Sequence, residues 1–254
     1  MKIEEIKIFL DEKVALYNQP EFIASDPISI PHLFSRKQDI EIAGFLSATL
    51  AWGRRDLILK SARKLMELLE EAPSDFILHA SEDEWERFNV FYYRTFSSID
   101  CLYFIKALRC IYLDYGGLEE VFVEGYINGG VRNALSHFRD VFLSFDPPLR
   151  SAKHVANVNK GASAKRLNMF LRWMVRSDNT GVDFGIWDRL LPEDLLLPLD
   201  IHSGNIARKL NLLRRKQNDF KAVEEVTAVL RNFDPKDPVK YDFALFGLGV
   251  NEAF

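Results

Sequence analysis

Apolar residues recur at the spacing of an α-helix along most of the chain. Near the start they stand three or four positions apart, from Ile3 and Ile6 to Phe9, which predicts a helix over 2–18. The same spacing predicts further helices over 38–52, 54–71, 74–80, 81–88, 98–114, 118–126, 131–145, 163–176 and 219–232, a short one over 193–197, one that begins at 201 and a last one that begins near 237. No long run alternates between apolar and polar residues. We therefore expect an all-α protein.

Several segments depart from a simple amphipathic helix. Residues 38–52 are almost all apolar, so that helix is expected to be central. Three prolines within 19–36 predict a loop or short turns, and the aromatic-rich segment 89–97 could be a strand or irregular. Ser81 and Glu84 have the spacing of a capping box.

Composition bounds the class of protein. The chain has 254 residues, 48% of them hydrophobic, enough for one large domain or two small lobes. The charged N-terminus lacks the apolar stretch of a secretory signal, and no run of about 18 apolar residues predicts a membrane span. Cys101 and Cys110 have no cluster of partners, so we expect reduced core cysteines in a cytoplasmic protein. Two cysteines are too few for a cysteine-built zinc or iron–sulfur site, and we expect no metal.

Positive charge is concentrated in one segment. The net charge is −4, but residues 150–176 hold seven Lys and Arg and no acid, so the rest of the chain sums to −4 − 7 = −11. Such a band can steer a polyanion to one face, or it can simply be a solvated helix face; the charges alone leave both open. The seven are Arg150, Lys153, Lys160, Lys165, Arg166, Arg172 and Arg176.

Two residues in this half of the chain could carry covalent chemistry. Lys165 begins a basic helix, where the helix dipole and Arg166 favour the neutral, nucleophilic amine. Asp200 stands where a helix N-cap is expected, which favours an ionised carboxylate able to accept a proton or stabilise a cation. The simpler interpretations are a solvated lysine and a structural cap. Gly161, before the basic helix, could expose backbone N–H groups to a phosphate, or it could be a plain turn.

These segments resemble a known superfamily. The run LPLDIHSGNIARKLNLL resembles the aspartate segment of helix-hairpin-helix DNA glycosylases, the endonuclease III-like base-excision enzymes. NKGASAKRLN resembles their hairpin, with the same separation between Gly161 and Lys165, and IAGFLSATLAW resembles an early helix. The resemblance implies two helical lobes with a cleft between them, residues 30–176 in one and 1–29 with 177–254 in the other. It places Lys165 on the Schiff-base lysine and Asp200 on the catalytic aspartate.

The connection between the lysine and the aspartate resembles the longer one of the archaeal 8-oxoguanine glycosylase branch. In that branch an aspartate and a tryptophan four residues later contact the damaged base, and Asp242 and Phe246 have that separation here. Phe246 could equally serve core packing. Thr49 replaces a glutamine of the family pattern, and Trp52 lies just beyond it. At this position the resemblance therefore gives weaker support for carrying over the family's substrate. The whole chain also resembles a bacterial family of unknown function.

The resemblance implies a glycosylase and abasic-site lyase that needs no cofactor, contains no iron–sulfur cluster and acts on double-stranded DNA with a damaged base, such as an oxidised purine. Two alternatives remain: a DNA-binding protein without catalysis, or a helical domain that binds an acidic protein. The implied base pocket consists of Thr49, Trp52, Asp242 and Phe246. The implied DNA contacts are Lys160, Gly161, Arg166, Arg172, His202 and Arg208.

Overall fold

The computed structural model describes residues 2–252 and confirms an all-α protein over that range. Within it, β-structure is limited to two isolated bridges, Tyr93 with Phe96 and Ala162 with Asp219. The helices are α1 (Ile3–Tyr17), α2 (Glu21–Ser25), α3 (Lys37–Leu50), α4 (Arg55–Leu68), α5 (Pro73–His79), α6 (Ser98–Asp114), α7 (Leu118–Ile127), α8 (Gly130–Phe142), α9 (Lys165–Val175), α10 (Ile201–Lys209), α11 (Phe220–Phe233) and α12 (Tyr241–Asn251).

The short segments differ most from expectation. Two predicted α-helices are 3₁₀ turns instead, Asp83–Val90 and Pro192–Asp194, the form that short helical pieces commonly take. The capping box before the first of them is confirmed, since the backbone N–H of Ser81 donates to the Glu84 carboxylate at 2.8 Å. Beyond Val90, the rest of the aromatic segment 89–97 is irregular apart from the Tyr93–Phe96 bridge.

The chain divides into two compact units. A middle unit comprises Ser25–Ala156; a C-terminal unit joins the chain up to Ala24 with the chain from Asn157 onward. The resemblance implied lobe boundaries after residues 29 and 176, whereas the compact units divide after residues 24 and 156. The reason is local: the Phe220 N–H donates to the Gly161 carbonyl at 2.9 Å, which ties the turn before α9 to the start of α11. Lys165 and Asp200 consequently belong to the same unit.

Aromatic side chains form the centre of the middle unit. Phe45 of α3 stacks on Phe104 of α6 with ring centroids 5.9 Å apart and meets Phe138 of α8 at 5.4 Å. Phe104 also meets Phe142 at 4.7 Å. Every residue of α3 from Asp39 to Leu50 is buried, which confirms that this apolar helix is central.

The core of the C-terminal unit forms around α12, which packs against α1 and α10. Gly247 allows the close approach, because a Cβ there would lie 2.2 Å from the Tyr17 ring. Leu10, Ile206 and Leu245 are among the buried side chains of this core. No helix within residues 2–252 has both the length and the apolar character needed to cross a bilayer.

A buried ion cluster holds α9 in the C-terminal unit. Arg172 on α9 and Arg176, the C-cap residue one turn later, are almost inaccessible to solvent, and both donate to Asp183, at 3.2 and 3.0 Å. Arg172 also donates to Asp242 of α12, and Arg176 to Asp237 at 2.9 Å. The guanidinium groups therefore attach α9 to the segment that follows it and to the start of α12. Two of the seven charges in the basic segment are internal, so that segment is not one solvated face.

Asp183→Ala tests this cluster. Removal of the shared carboxylate leaves two buried guanidinium groups short of a partner, and we expect the free energy of unfolding to fall by about 3–5 kcal/mol. Lys7→Ala is the control, because it removes a half-exposed pair with Asp11 that is worth only about 0.3–0.5 kcal/mol. Urea denaturation of both variants and the wild type gives the comparison. A loss below about 1 kcal/mol in Asp183→Ala would contradict a structural role for the cluster.

Candidate active site

A tight turn sets the start of α9. The Asn157 side chain accepts a hydrogen bond from the Lys160 N–H at 3.1 Å. Gly161 follows in the left-handed conformation at φ 85°, which glycine adopts without steric cost. Ala164 is also left-handed, at φ 52°, immediately before Lys165 begins the helix. The turn thus places Lys165 on the first, positively polarised turn of α9.

The phosphate-binding interpretation of Gly161 is corrected by the hydrogen bonds of this turn. The N–H of Gly161 donates to the Val158 carbonyl at 3.0 Å, and the N–H of Ala162 donates to the Asn157 carbonyl at 3.1 Å. Both groups therefore stabilise the turn itself. This segment also differs from a hairpin of two α-helices joined by a loop. The element directly before the Gly161 turn is only a three-residue 3₁₀ turn, Val158–Lys160.

Asp200 is the N-cap of α10, as its sequence position predicts. Its Oδ1 accepts the Ser203 N–H at 2.8 Å, and its backbone is extended. The Asn218 side chain donates to the Asp200 carbonyl at 2.8 Å, and Arg208 donates to the Asn218 oxygen. Backbone and carboxylate are both fixed, so the second oxygen, Oδ2, points in a defined direction.

That second oxygen faces Lys165. The Lys165 Nζ lies 3.4 Å from Asp200 Oδ2, although the residues are 35 positions apart in the chain. The lysine side chain is 31% exposed and the aspartate side chain 14% exposed, so a solvent-borne molecule can reach the amine. The fold thus brings together an amine and a carboxylate that can exchange a proton, at the N-termini of two helices.

Asp242 belongs to the same group of charges. It lies in the first turn of α12, its side chain is 9% exposed, and it accepts a hydrogen bond from Arg172. Burial raises the pKa of Asp242 to about 6, against the opposing effect of the Arg172 charge, and the charges of Asp200 and Lys165 are near enough to act on it. The predicted site residues Lys165, Asp200 and Asp242 therefore converge.

Three arginines that were predicted to contact DNA are buried or half-buried within the protein. Arg172 is 3% exposed and paired with two carboxylates, so its assignment to a phosphate is wrong. The Arg208 guanidinium donates to the Arg215 carbonyl at 2.8 Å and to Asn218, which supports the start of α10. Arg166 is half-buried, and burial lowers the pKa of its guanidinium to about 10.

Lys160 and His202 are exposed, as a contact with DNA requires. The His202 ring lies 6.4 Å from the Phe246 ring, and Phe246 also meets Phe22 at 6.4 Å, so this phenylalanine is half-buried in an aromatic group. Beside His202 is a surface cavity of about 330 Å³. Its lining comprises His202, Asn205, Ile206, Arg208, Lys209 and Gly249.

The other two base-pocket candidates belong to the middle unit. Thr49 is buried in α3. Trp52 follows the end of α3, where its ring meets Tyr93 at 5.1 Å and its carbonyl accepts the Tyr93 hydroxyl. Their assignment to a base pocket stays a prediction.

Sequence reasoning missed two residues that shape the site. Asp183 holds Arg172 and Arg176, and Asn218 holds Asp200; both lie in connecting segments, where no helical spacing indicates a role. Within the part of the chain that the structure describes, no three His, Cys, Asp or Glu side chains are grouped so that they could hold a metal ion.

Among known proteins, the chain matches the model of one family. The model of a family described as protein of unknown function (DUF2400) matches residues 26–251. No curated protein and no solved structure matches the chain.

The capping and chemical roles of Asp200 can be separated by substitution. Asn caps a helix about as well as Asp, so we expect Asp200→Asn to unfold within about 0.5 kcal/mol of the wild type. Asp200→Ala loses the bond to the Ser203 N–H and should cost about 1 kcal/mol. Urea denaturation measures both, and Asp219→Ala, which removes the equivalent cap of α11, gives the reference for a lost cap. Equal stability of the Ala and Asn variants would contradict the capping role.

Proposed function

This chain belongs to the DUF2400 family of proteins of unknown function, and we propose that it is a DNA glycosylase and abasic-site lyase that uses Lys165 as its nucleophile. The proposed substrate is double-stranded DNA that carries an oxidised purine such as 8-oxoguanine. DNA as a substrate agrees with the cytoplasmic location expected from the cysteine content.

The observation that carries this proposal is the contact between Lys165 Nζ and Asp200 Oδ2 at 3.4 Å. A lysine attacks carbon only as the neutral amine, so it needs a nearby group that can take its proton. The Asp200 carboxylate is held at that distance by its bond to the Ser203 N–H. A lysine that served solubility alone would have no need of a fixed and partly buried carboxylate.

The proposed reaction begins at C1′ of the damaged nucleotide. The Lys165 amine forms a bond to C1′ as the glycosidic bond breaks, and the base departs with the electron pair of that bond. The Asp200 carboxylate stabilises the positive charge that develops on the sugar and takes the proton that the amine loses. The C1′–O4′ bond then opens, O4′ takes a proton, and the nitrogen lone pair completes a Schiff base.

The Schiff base makes strand cleavage possible. It acidifies the proton on C2′, which a base removes, and the C3′–O bond breaks so that the 3′ phosphate leaves. An abasic site enters the same sequence at its C1′ aldehyde, with water as the leaving group. Lyase activity on abasic DNA is therefore the simplest readout of the lysine chemistry, because it does not depend on which damaged base is recognised.

Exposed polar side chains on the two segments that carry the reacting pair support a nucleic-acid substrate. Lys160 lies in the turn before Lys165, and His202 lies in the first turn of the helix that Asp200 caps. Both can contact phosphates on either side of a reacting nucleotide without reading sequence. Phe246, whose ring meets the His202 ring, offers an aromatic face on which a flipped base could stack.

Borohydride trapping tests the proposal. The reductant converts a lysine Schiff base into a stable protein–DNA crosslink, so we expect the wild type to crosslink to a duplex with one abasic site. Lys165→Ala should abolish the crosslink. Lys221→Ala, which removes an exposed lysine of α11 in the same unit, is the matched control and should crosslink like the wild type. A second duplex that contains 8-oxoguanine tests the substrate.

The outcomes separate the alternatives. A crosslink to abasic DNA but not to the 8-oxoguanine duplex would keep the lysine chemistry and reject that base. If neither duplex is trapped while salt-sensitive DNA binding persists, the protein is a DNA-binding module without catalysis. Absence of DNA binding at low salt would reject a nucleic-acid substrate altogether.

A further inference from the structure

We propose that Asp242 is the proton donor of this site, acting on the group that leaves C1′, while Asp200 serves as the ionised carboxylate. The inference rests on the function proposed above and assigns the step that the lysine and Asp200 leave unexplained. Attack by an amine on the aldehyde of an abasic site gives a carbinolamine, and loss of its hydroxyl group requires a proton. Asp200 takes the proton that Lys165 loses, and a second acid beside the pair can supply the proton that the hydroxyl group needs without Asp200 returning its own.

The position of Asp242 suits this role. It lies on a different helix from either member of the reacting pair, in the first turn of α12, and is close enough to Lys165 and Asp200 for their charges to act on it. The ring of its neighbour Phe243 packs 4.3 Å beneath the Arg172 guanidinium, and Arg172 donates to Asp242. The carboxyl group is therefore held from one side by α9, with its orientation fixed by a buried arginine.

The two carboxyl groups have opposite environments. Asp200 accepts a backbone N–H at a helix N-terminus, and its side chain is 14% exposed. Asp242 is buried among charges of both signs, and the burial raises its pKa to about 6. Two neighbouring carboxyl groups that differ in this way can act as the acid and the base of one reaction.

Arg172 explains how a buried acid can give up its proton. When Asp242 donates, it becomes a carboxylate in a poorly solvated position, which is costly unless a cation is close. Arg172 is already hydrogen-bonded to it and is itself held in place by Asp183 at 3.2 Å. The arginine that sequence analysis assigned to a DNA phosphate would instead stabilise the conjugate base of the proton donor.

The proposed step balances as follows. The Asp242 O–H bond breaks, and its proton goes to the hydroxyl oxygen on C1′ of the carbinolamine. The C1′–O bond breaks, water leaves with the bonding pair, and the lone pair of the Lys165 nitrogen forms the C=N bond of the Schiff base. Asp242 remains as a carboxylate beside Arg172. No oxidant, reductant or further reactant is needed.

The sign of the pH dependence follows from the charges around Asp242. Arg172 on α9, Lys165 at its start, Asp183 after it and Asp200 before α10 are the groups that act on it. The carboxyl group is protonated below pH 6 and loses its proton as the pH rises through about 6. The fraction of Asp242 that carries a proton to donate should therefore fall above that pH. The fraction of lysine present as the neutral amine increases with pH.

A ratio of rates isolates this effect. Asp242→Asn keeps the shape of the protonated acid but cannot donate a carboxylic proton. We expect its rate of borohydride-trapped crosslinking to abasic DNA to be about 10²-fold below that of the wild type at pH 5. The ratio of the wild-type rate to the variant rate should be constant at acid pH, where Asp242 is protonated, and fall as the pH rises through about 6.

Asp237→Asn is the matched control. Asp237 is also largely buried, its pKa is also raised by burial, and it belongs to the same ion cluster, but its partner is Arg176. Its variant should show the same pH profile as the wild type. A structural role for Asp242 alone would lower the rate by a factor that does not change with pH, and that result would overturn the proposal.

A second measurement does not depend on any variant folding. In wild-type protein labelled with ¹³C at aspartate carboxyl carbons, the signal assigned to Asp242 through its backbone connectivity should titrate near pH 6. Titration of the Asp242 signal below pH 5 would overturn the proposal. Different results would reject the proposed function and the proposed proton donor. Absence of any crosslink in the wild type rejects the proposed function, whereas a normal wild-type crosslink with an unchanged profile in Asp242→Asn rejects the proton donor alone.

Discussion

The ion cluster of Arg172, Arg176 and Asp183 is the constraint on which the C-terminal unit depends. Two buried guanidinium groups, one on α9 and one at its C-cap, are tolerable only if carboxylates meet them, and Asp183 meets both. This requirement fixes the rotation and the depth of α9. It thereby fixes Lys165 at the start of that helix and brings Asp242 of α12 against Arg172. The positions of Lys165 and of the buried Asp242 are both set by this one arrangement of charges.

A second set of contacts fixes the partner of the lysine independently. Asp200 is held by the Ser203 N–H through its carboxylate and by Asn218 through its carbonyl. The site therefore needs no flexible element to bring its groups together: one helix start presents the amine and another presents the carboxylate. Such preorganisation is what electrostatic stabilisation of a developing charge requires.

Much of the fold could be predicted from the sequence, because helical spacing and helix caps are local signals. The apolar run of α3 predicts its central position, and the residue type at Asp200 predicts a cap. Charge was less informative, since a count of Lys and Arg does not say which way a side chain points. Arg172 belongs to a basic segment but lies inside the protein, where it donates to Asp183 and Asp242, 11 and 70 positions away in the chain. The 35-residue separation of Lys165 and Asp200 likewise carries no local signal, and only a resemblance paired them.

The proposal that Lys165 is the nucleophile is tested most directly by identifying the residue that bears the sugar. After borohydride reduction of the wild-type protein with abasic DNA, nuclease digestion and mass spectrometry of the peptides locate the modified lysine. The account predicts a single adduct on Lys165, whose Nζ lies 3.4 Å from Asp200. An adduct spread over exposed lysines such as Lys160, or one confined to a lysine without a neighbouring carboxylate, would contradict it.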